Sequence, residues 1–258
     1  MSELVVLGSS SGAPAPDRFC SAYALLVRDR VYLLDCGAPA CTLLYRAGLD
    51  PMCVEAVLIS HWHVDHVAGL PLLLSQLKLL GRTRPLQVLG PPGTRARTDQ
   101  ALSAAFLART RLTYECQITD ASTETWYGIQ EIAVMFYRTS HLDQGKYAWL
   151  KEVYGAPLVV SYGTVIRAEE TRLVYSGDCG RPEDAAPYVA RADLLIHELG
   201  HHEPEDIARF AESFRIPRLL LSHIPPVWNG RPEEILKAVR GHYGGEIIVA
   251  SDGMRITL

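Results

Sequence analysis

The chain has 258 residues, of which 48% are hydrophobic and 21% are charged, and its formal net charge is −4 at pH 7. This length suits one large domain with a sizeable core or two small ones, and the composition is ordinary for a soluble globular protein. The negative charge excludes a general electrostatic attraction to nucleic acid or acidic membranes, and no stretch reaches the roughly 18 consecutive apolar residues of a membrane span.

Apolar runs bounded by turn residues predict the β-strands. Several of these runs are continuously apolar, which favours strands that are covered on both faces. The predicted strands are Leu4–Leu7, Ala22–Val27, Val31–Asp35, Ala56–Ser60, Leu86–Leu89, Ile132–Tyr137, Leu158–Ile166, Leu173–Ser176, Leu194–His197, Leu219–Ser222, Ile247–Ala250 and Met254–Leu258.

A proline at the first turn predicts three helices between these strands. In two of them, acidic residues follow the proline at the positive end of the helix dipole. The strands first alternate among themselves and later alternate with helices, which predicts a mixed α/β domain whose helices cover the sheets. No linker-like or repetitive stretch divides the chain, so we expect a single domain over residues 1–258. The three helices are Leu72–Leu80, Glu205–Phe214 and Glu233–Arg240.

The amino terminus lacks the basic region and apolar core of a secretory signal, so we expect a cytoplasmic protein. The six cysteines form no CxxC pair, which is the usual spacing of structural zinc ligands. We therefore expect free and mostly buried thiols in a reducing compartment. The cysteines are Cys20, Cys36, Cys41, Cys53, Cys116 and Cys179.

A dense cluster of metal-ligand side chains follows the predicted strand Ala56–Ser60. In extended backbone His61 and His63 point the same way and can grip one ion. Asp65 and His66 come after the chain has begun to turn, so they can face a second position. Imidazole and carboxylate ligands suit zinc, with manganese and iron as alternatives. The cluster reads His61-Trp62-His63-Val64-Asp65-His66 and predicts a metal site at a strand-to-helix loop.

The spacing His61-x-His63-x-Asp65-His66 resembles the signature of the metallo-β-lactamase superfamily. The resemblance implies an α/β fold, a four-layer αββα sandwich with the metals at one edge of its sheets. It matches the remaining ligands to His141, Asp178 and His223, each of which follows a predicted strand. The implied site holds two divalent metal ions, bridged by Asp178 and by a water or hydroxide that attacks at phosphorus. One ion would be held by His61, His63, His141 and Asp178, and the other by Asp65, His66, Asp178 and His223.

Residue types and chain length exclude three branches of this superfamily. Diiron flavoprotein members have a glutamate at the position of His63, and lactamases of one zinc class have a cysteine at the position of Asp178. Nuclease branches with an inserted cap domain need a much longer chain. The chain is most similar to the tRNA 3′-end processing endonucleases, RNase Z, and to their phosphodiesterase and arylsulfatase relatives. The motifs that carry this similarity are residues 7–14 followed by Arg18, and residues 34–37, 89–93 and 193–198.

The RNase Z family has a histidine at the start of a helix that pairs with a glutamate and donates a proton to the leaving oxygen. His202 fits this role, because it lies four residues after Glu198 and just before the helix Glu205–Phe214, and His201 is an alternative one residue away. A general acid supplies roughly 10²–10⁴ in rate. The resemblance therefore implies Asp65, Glu198 and His202 as catalytic residues. The opposing interpretation is a solvated first helical turn.

The chain departs from the family between the third histidine and the bridging aspartate. Members that process tRNA carry a long Gly/Pro-rich arm there, which grips the tRNA elbow, whereas residues 142–157 are too few for such an arm. This segment forms either a small lid or stacking surface, or else a surface hairpin or short helix. It holds Lys146, Tyr147, Trp149, Lys151 and Tyr154.

We therefore expect a metal-dependent phosphodiesterase or endoribonuclease that resembles RNase Z, acts on RNA or another phosphodiester, and forms the homodimer that the resemblance implies. Hydrolysis of a small ester, such as an aryl sulfate, a cyclic nucleotide or a thioester, is the alternative. A non-catalytic scaffold is a third hypothesis, and the complete ligand set argues against it. If RNA is the substrate, the basic residues available to bind it are Arg82, Arg84, Arg95 and Arg97.

Overall fold

The computed structural model describes residues 2–258, so Met1 of the predicted domain lies outside the described residues. The strands form two sheets of seven strands each. The first sheet contains, in spatial order, β14 (Arg255–Thr257), β1 (Ser2–Gly8), β2 (Ala22–Val27), β3 (Arg30–Leu34), β4 (Val54–Leu58), β5 (Leu86–Gly90) and β6 (Cys116–Asp120). The second contains β13 (Glu246–Val249), β12 (Arg218–Ser222), β11 (Leu194–Glu198), β10 (Thr171–Tyr175), β9 (Ser161–Ala168), β8 (Ile132–Thr139) and β7 (Trp126–Ile129).

Both sheets are mixed, as predicted. In the first sheet β14, β1, β2 and β3 pair antiparallel, and β3 to β6 run parallel. In the second sheet β7 to β10 pair antiparallel, and β10 to β13 run parallel. Because β9 opposes both of its neighbours, β8 runs in the same direction as β10, β11 and β12, and the carboxyl ends of these four strands lie at one edge.

Seven α-helices accompany the sheets within residues 2–258. Three of them have a proline in the first turn, where a missing N–H costs no hydrogen bond, and these are the three helices that the sequence predicts. Their observed bounds differ from the predicted ones by at most two residues at either end. The helices are α1 (Ala40–Arg46), α2 (Val64–Val67), α3 (Leu70–Leu79), α4 (Thr94–Ala104), α5 (Ala148–Tyr154), α6 (Pro204–Ser213) and α7 (Pro232–Arg240).

Three hydrophobic cores separate the layers of the fold. The central core lies between the sheets and takes side chains from both, such as Leu58 from β4 and Ile196 from β11. A second core joins the first sheet to α1, α3 and α4, and a third joins the other sheet to α6 and α7. Each fully buried Leu, Ile or Phe contributes about 1.5–3 kcal/mol by leaving water. The layer order is therefore αββα, which confirms the predicted fold class.

Several elements differ from the sequence prediction. The strand predicted from Leu158 begins only at Ser161, because Leu158 ends a short 3₁₀ turn and is exposed. The edge strands β6 and β7 were not predicted, since their burial is patchy. Helix α4 was not predicted either, because its buried side chains are only Thr94, Thr98 and Leu102.

The cysteines are free, as predicted, and four of the six are buried. Within residues 2–258, no helix has the length and apolar character needed to cross a bilayer.

Candidate metal centre

The predicted ligands come from strand ends of both sheets. The loop after β4 in the first sheet carries His61 and His63 and leads directly into α2, which contains Asp65 and His66. The other ligands follow three strands of the second sheet whose carboxyl ends share one edge: His141 after β8, Asp178 after β10 and His223 after β12. The two sheets thus meet over a single site.

The predicted ligand atoms form two neighbouring groups. In the first group the ligand atoms all lie within 4.8 Å of one another, and the same holds in the second. The structure therefore brings together every residue that the sequence assigned to the metals. The first group is His61, His63, His141 and Asp178, and the second is Asp65, His66 and His223.

Asp178 lies between the two groups and presents one carboxylate oxygen to each. Its Oδ2 atom is 3.7 Å from Nε2 of His61 and 3.7 Å from Nε2 of His141. Its Oδ1 atom is 3.3 Å from Nε2 of His66 and 3.5 Å from Nε2 of His223. A carboxylate in this position can bridge two ions.

Several ligand atoms are buried without a hydrogen-bond partner in residues 2–258. They include Nε2 of His61, Nε2 of His66 and Oδ1 of Asp178. Unpaired polar atoms are rare in protein interiors because each costs about 1–3 kcal/mol of desolvation. Coordination of metal ions would satisfy these atoms, so the residues present fit a two-metal centre.

Asp35 orients two of the candidate ligands, His66 directly and His61 through Ser60. The sequence did not predict this role. Its Oδ2 atom accepts a hydrogen bond from Nδ1 of His66 at 2.7 Å and from the Tyr175 hydroxyl at 2.6 Å. It also binds Ser60, whose Oγ atom is 3.0 Å from Nδ1 of His61. A carboxylate on Nδ1 fixes the tautomer of His66 and leaves Nε2 free for an ion.

The charges around the centre favour a cation. Burial opposes protonation of His66, but the carboxylates of Asp178 and Asp35 outweigh it and raise the pKa of His66 well above its ordinary value. The same field would stabilise a metal ion there. Burial lowers the pKa of His141 to about 3, which keeps that imidazole neutral as a ligand must be. Burial would raise the pKa of Asp178, but the imidazoles of His223 and His66 hold it well below its usual range.

Glu198 and His201 form a hydrogen-bonded pair at the edge of the ligand groups. The His201 ring donates from Nδ1 to Oε1 of Glu198 at 2.9 Å, and the His201 backbone N–H donates to Oε2 at 3.0 Å. The ring centroid of His201 is 4.7 Å from that of His141, and Nδ1 is 3.9 Å from Oδ2 of Asp178. His201, Asp178 and His223 also form a possible ligand group. His201 therefore faces the metal centre.

His202, the predicted proton donor, lies on the other side of the Glu198 carboxylate. Its Nε2 atom is 3.4 Å from Oε1 of Glu198 and 3.3 Å from Sγ of Cys179, and its ring contacts His197, which is fully buried. The His202 ring is therefore held among Glu198, Cys179 and His197. Of the two histidines that the sequence left open, His201 is the one whose ring faces the ligand groups, because consecutive side chains of an irregular segment point in different directions.

The opening loop of the chain covers the Asp65 side of the centre. A Cβ atom on Gly12 would lie 3.2 Å from Oδ2 of Asp65, so the loop backbone passes directly over this carboxylate. Ser10 pairs with Ile224, the residue after His223. Arg18 fastens the loop by donating to Oγ of Ser9 at 2.6 Å and to the Ala250 carbonyl at 2.6 Å.

On the His141 side, residues 143–158 form a cap segment of short helical turns, of which α5 is the longest. The segment is thus neither the long arm of tRNA-processing enzymes nor a hairpin. Its Tyr147 ring lies 5.2 Å from the His63 ring and 4.9 Å from the His141 ring, measured between centroids.

Two of the four basic residues expected to bind RNA serve the fold instead. Arg82 is fully buried and donates to the backbone carbonyls of Arg84, Met52 and Pro85. Arg84 bonds to the Met52 carbonyl and pairs with Glu55. Their guanidinium groups are therefore engaged in contacts within the protein.

Comparison with known proteins supports the fold and a metal-dependent hydrolase. A family model described as Anti-Pycsar protein Apyc1 matches residues 2–219. Ribonuclease Z of Methanothermobacter thermautotrophicus is 26% identical over an alignment of 286 positions, which covers 93% of this chain and 92% of that protein. The metallo-β-lactamase fold protein YhfI of Bacillus subtilis superposes with a TM-score of 0.79 at 22% identity, covering 99% of this chain and 98% of that one. The short form of human tRNase Z gives 0.75 at 22% identity, with the same coverage.

Proposed function

The chain belongs to the family described as Anti-Pycsar protein Apyc1, and from this membership and the geometry of the metal centre we propose that it is a two-metal phosphodiesterase acting on small phosphodiesters. It is a metal-dependent hydrolase of the metallo-β-lactamase fold, similar to ribonuclease Z. The observation that carries the proposal is Asp178, whose two carboxylate oxygens face two different groups of ligands.

The proposed ligands are those that the two groups bring together. A centre with five imidazoles and two aspartates suits zinc, since imidazole is a preferred ligand of that ion. Two bound ions lower the pKa of a water between them and neutralise the oxygens of a phosphate group. One ion would be held by His61, His63, His141 and Asp178, and the other by Asp65, His66, Asp178 and His223.

Two side chains at the centre have further proposed roles. His201 donates a proton to the leaving oxygen, and Glu198 orients it by accepting the hydrogen bond from Nδ1. Asp65 remains ionised, because the imidazoles of His223 and His66 outweigh burial and lower its pKa to about 2. Its carboxylate would help to hold the second ion and would orient the attacking water.

A small phosphodiester fits this site better than a folded RNA. The short cap segment lies at the position where tRNA-processing members of the RNase Z family carry a long arm. In addition, the net charge of −4 gives no general electrostatic attraction to RNA. A cyclic nucleotide is the compact form of such a substrate. Similarity to ribonuclease Z supports cleavage at the tRNA 3′ end as the second candidate.

The substrate class is tested by assaying the zinc-loaded protein side by side on four compounds: bis(p-nitrophenyl) phosphate, a cyclic nucleotide, a precursor tRNA and an aryl sulfate. We expect kcat/KM on a small phosphodiester to equal or exceed that on precursor tRNA, because nothing grips the tRNA elbow. Strong and accurate cleavage at the tRNA 3′ end would establish the second candidate instead. Turnover of the aryl sulfate alone would point to a sulfate-ester hydrolase.

We also propose that the protein is a homodimer, through an apolar surface between α1 and α3. Tyr45, Leu79 and Leu80 are 53%, 80% and 43% exposed there and line a cavity of about 160 Å³. A second copy of this surface would cover the exposed leucines.

Leu79→Glu is therefore expected to convert a dimer into a monomer, because it places a charge in the proposed interface. Light scattering coupled to gel filtration measures the mass. Phe106→Glu is the matched control, since Phe106 is fully exposed outside this surface and its replacement leaves the mass unchanged. A wild-type protein that is monomeric at high concentration would contradict the proposal.

A further inference from the structure

The cap segment covers the metal centre without a hydrophobic core of its own. None of the side chains of residues 143–158 is buried. Charged contacts hold its two ends. Asp143 accepts hydrogen bonds from Arg138 and Lys151, each at 2.9 Å, and the Arg97 guanidinium lies 5.0 Å from the Tyr154 ring centre. Exposed pairs of this kind contribute about 0–1 kcal/mol each. The segment is therefore held in position by weak surface contacts and not by a buried core.

Tyr147 is the residue of this segment that reaches the metal centre. Its ring contacts His63 and His141, two ligands of the same group. The Tyr147 ring therefore forms part of the wall of the centre, beside the first ligand group.

The Tyr147 hydroxyl also stands apart from the other tyrosine hydroxyls. The chain has twelve tyrosines, and nine of their hydroxyls have a hydrogen-bond partner within residues 2–258. Of the other three, Tyr45 and Tyr154 are about half exposed, so water can serve them. Tyr147 is half-buried and has no such partner in the part of the chain that the structure describes.

We propose that Tyr147 contacts the substrate, with its ring forming one wall of the site and its hydroxyl donating a hydrogen bond to a phosphate oxygen. A phenol is neutral near pH 7 and donates one hydrogen bond, which suits an anionic phosphate. A partly buried tyrosine hydroxyl commonly has a partner, and the substrate supplies the one that the protein does not. This inference rests on the proposed function, since it names the part of the substrate that Tyr147 binds.

Two substitutions separate the hydroxyl from the ring. Tyr147→Phe removes only the hydrogen bond, and we expect kcat/KM on bis(p-nitrophenyl) phosphate to fall by about 10–100-fold, because a hydrogen bond to a charged group is being lost. Tyr147→Ala also removes the ring that forms the wall, so we expect a larger decrease in kcat/KM for this variant. Zinc content and melting temperature should stay unchanged in both, since Tyr147 is neither a ligand nor part of a core.

The dissociation constant of inorganic phosphate, measured by calorimetry on the zinc-loaded protein, provides a second readout that needs no turnover. It should rise in Tyr147→Phe because the same oxygen is recognised. Tyr154→Phe is the matched control: it removes another hydroxyl of the cap segment and should leave both values unchanged.

The possible results separate this inference from the proposed function. If the wild-type protein hydrolyses no phosphodiester, the proposed function fails, and phosphate binding still decides whether Tyr147 contacts the anion. If phosphate binding and kcat/KM are both unchanged in Tyr147→Phe, the inference is overturned. Loss of zinc in Tyr147→Phe would overturn it as well, because the residue would then stabilise the ligands and not the substrate.

Discussion

Asp178→Ala is expected to lose zinc from both positions and to reduce hydrolysis by about 10³-fold or more, beyond the roughly 10²–10³ that one stabilising donor is worth. The physical reason is that each oxygen of this carboxylate faces a different ligand group. Its removal also takes negative charge away from a buried cluster of imidazoles. Elemental analysis measures the zinc, and hydrolysis of bis(p-nitrophenyl) phosphate measures the activity.

A graded comparison makes this result specific to bridging. His63→Ala removes a ligand of the first group only, so it should reduce the zinc content by one ion per chain at most. Asp99→Ala is the surface control, since Asp99 pairs with Arg109 on the exterior and its loss should change neither zinc nor activity. Unchanged zinc in Asp178→Ala would defeat the assignment of this residue as the shared ligand.

Four of the proposed metal ligands could be predicted because the signal of the His-x-His-x-Asp-His cluster is local. The other three came from the family resemblance, and each of them stands directly after an apolar strand. Strand ends converge at one edge of a sheet whenever the strands run in the same direction. The structure shows this arrangement for β8, β10 and β12.

The role of Asp35 was less accessible because it depends on contacts between distant parts of the chain. The motif around Asp35 was visible as a family resemblance, yet the sequence does not reveal which side chains it binds. Its partners Ser60, His66 and Tyr175 are 25, 31 and 140 residues away. A buried aspartate at the end of an apolar strand was the available signal, since such a carboxylate needs several donors.

The orientation of the two adjacent histidines could not be read from the sequence. His201 and His202 both lie within reach of Glu198, and either one fits a loop ahead of a helix. The segment between β11 and α6 is irregular, so it has no periodic pattern from which the direction of each side chain could be predicted. Packing determines the two orientations: Cys179 and His197 surround the His202 ring, whereas the His201 ring faces the ligand groups.

His201→Ala is expected to retain both zinc ions and the fold, but to reduce kcat by roughly 10²–10⁴ on substrates with poor leaving groups. The imidazole gives Nδ1–H to Glu198, so its Nε2 atom is the one available to the leaving oxygen. The loss should be largest for a cyclic nucleotide, whose leaving group is an alkoxide that needs a proton. Comparing kcat of wild type and variant on this substrate measures the effect.

The contrast between leaving groups distinguishes a proton donor from a residue that merely supports the site. A p-nitrophenolate departs without a proton, so His201→Ala should retain most of its activity on bis(p-nitrophenyl) phosphate, whereas loss of a metal ligand would impair both substrates alike. His202→Ala is the matched control: it removes the neighbouring imidazole on the far side of Glu198 and should not show the contrast. If His202→Ala shows it instead, the donor is His202. If His201→Ala loses zinc, His201 joins Asp178 and His223 as a ligand, which their spacing of at most 4.8 Å permits.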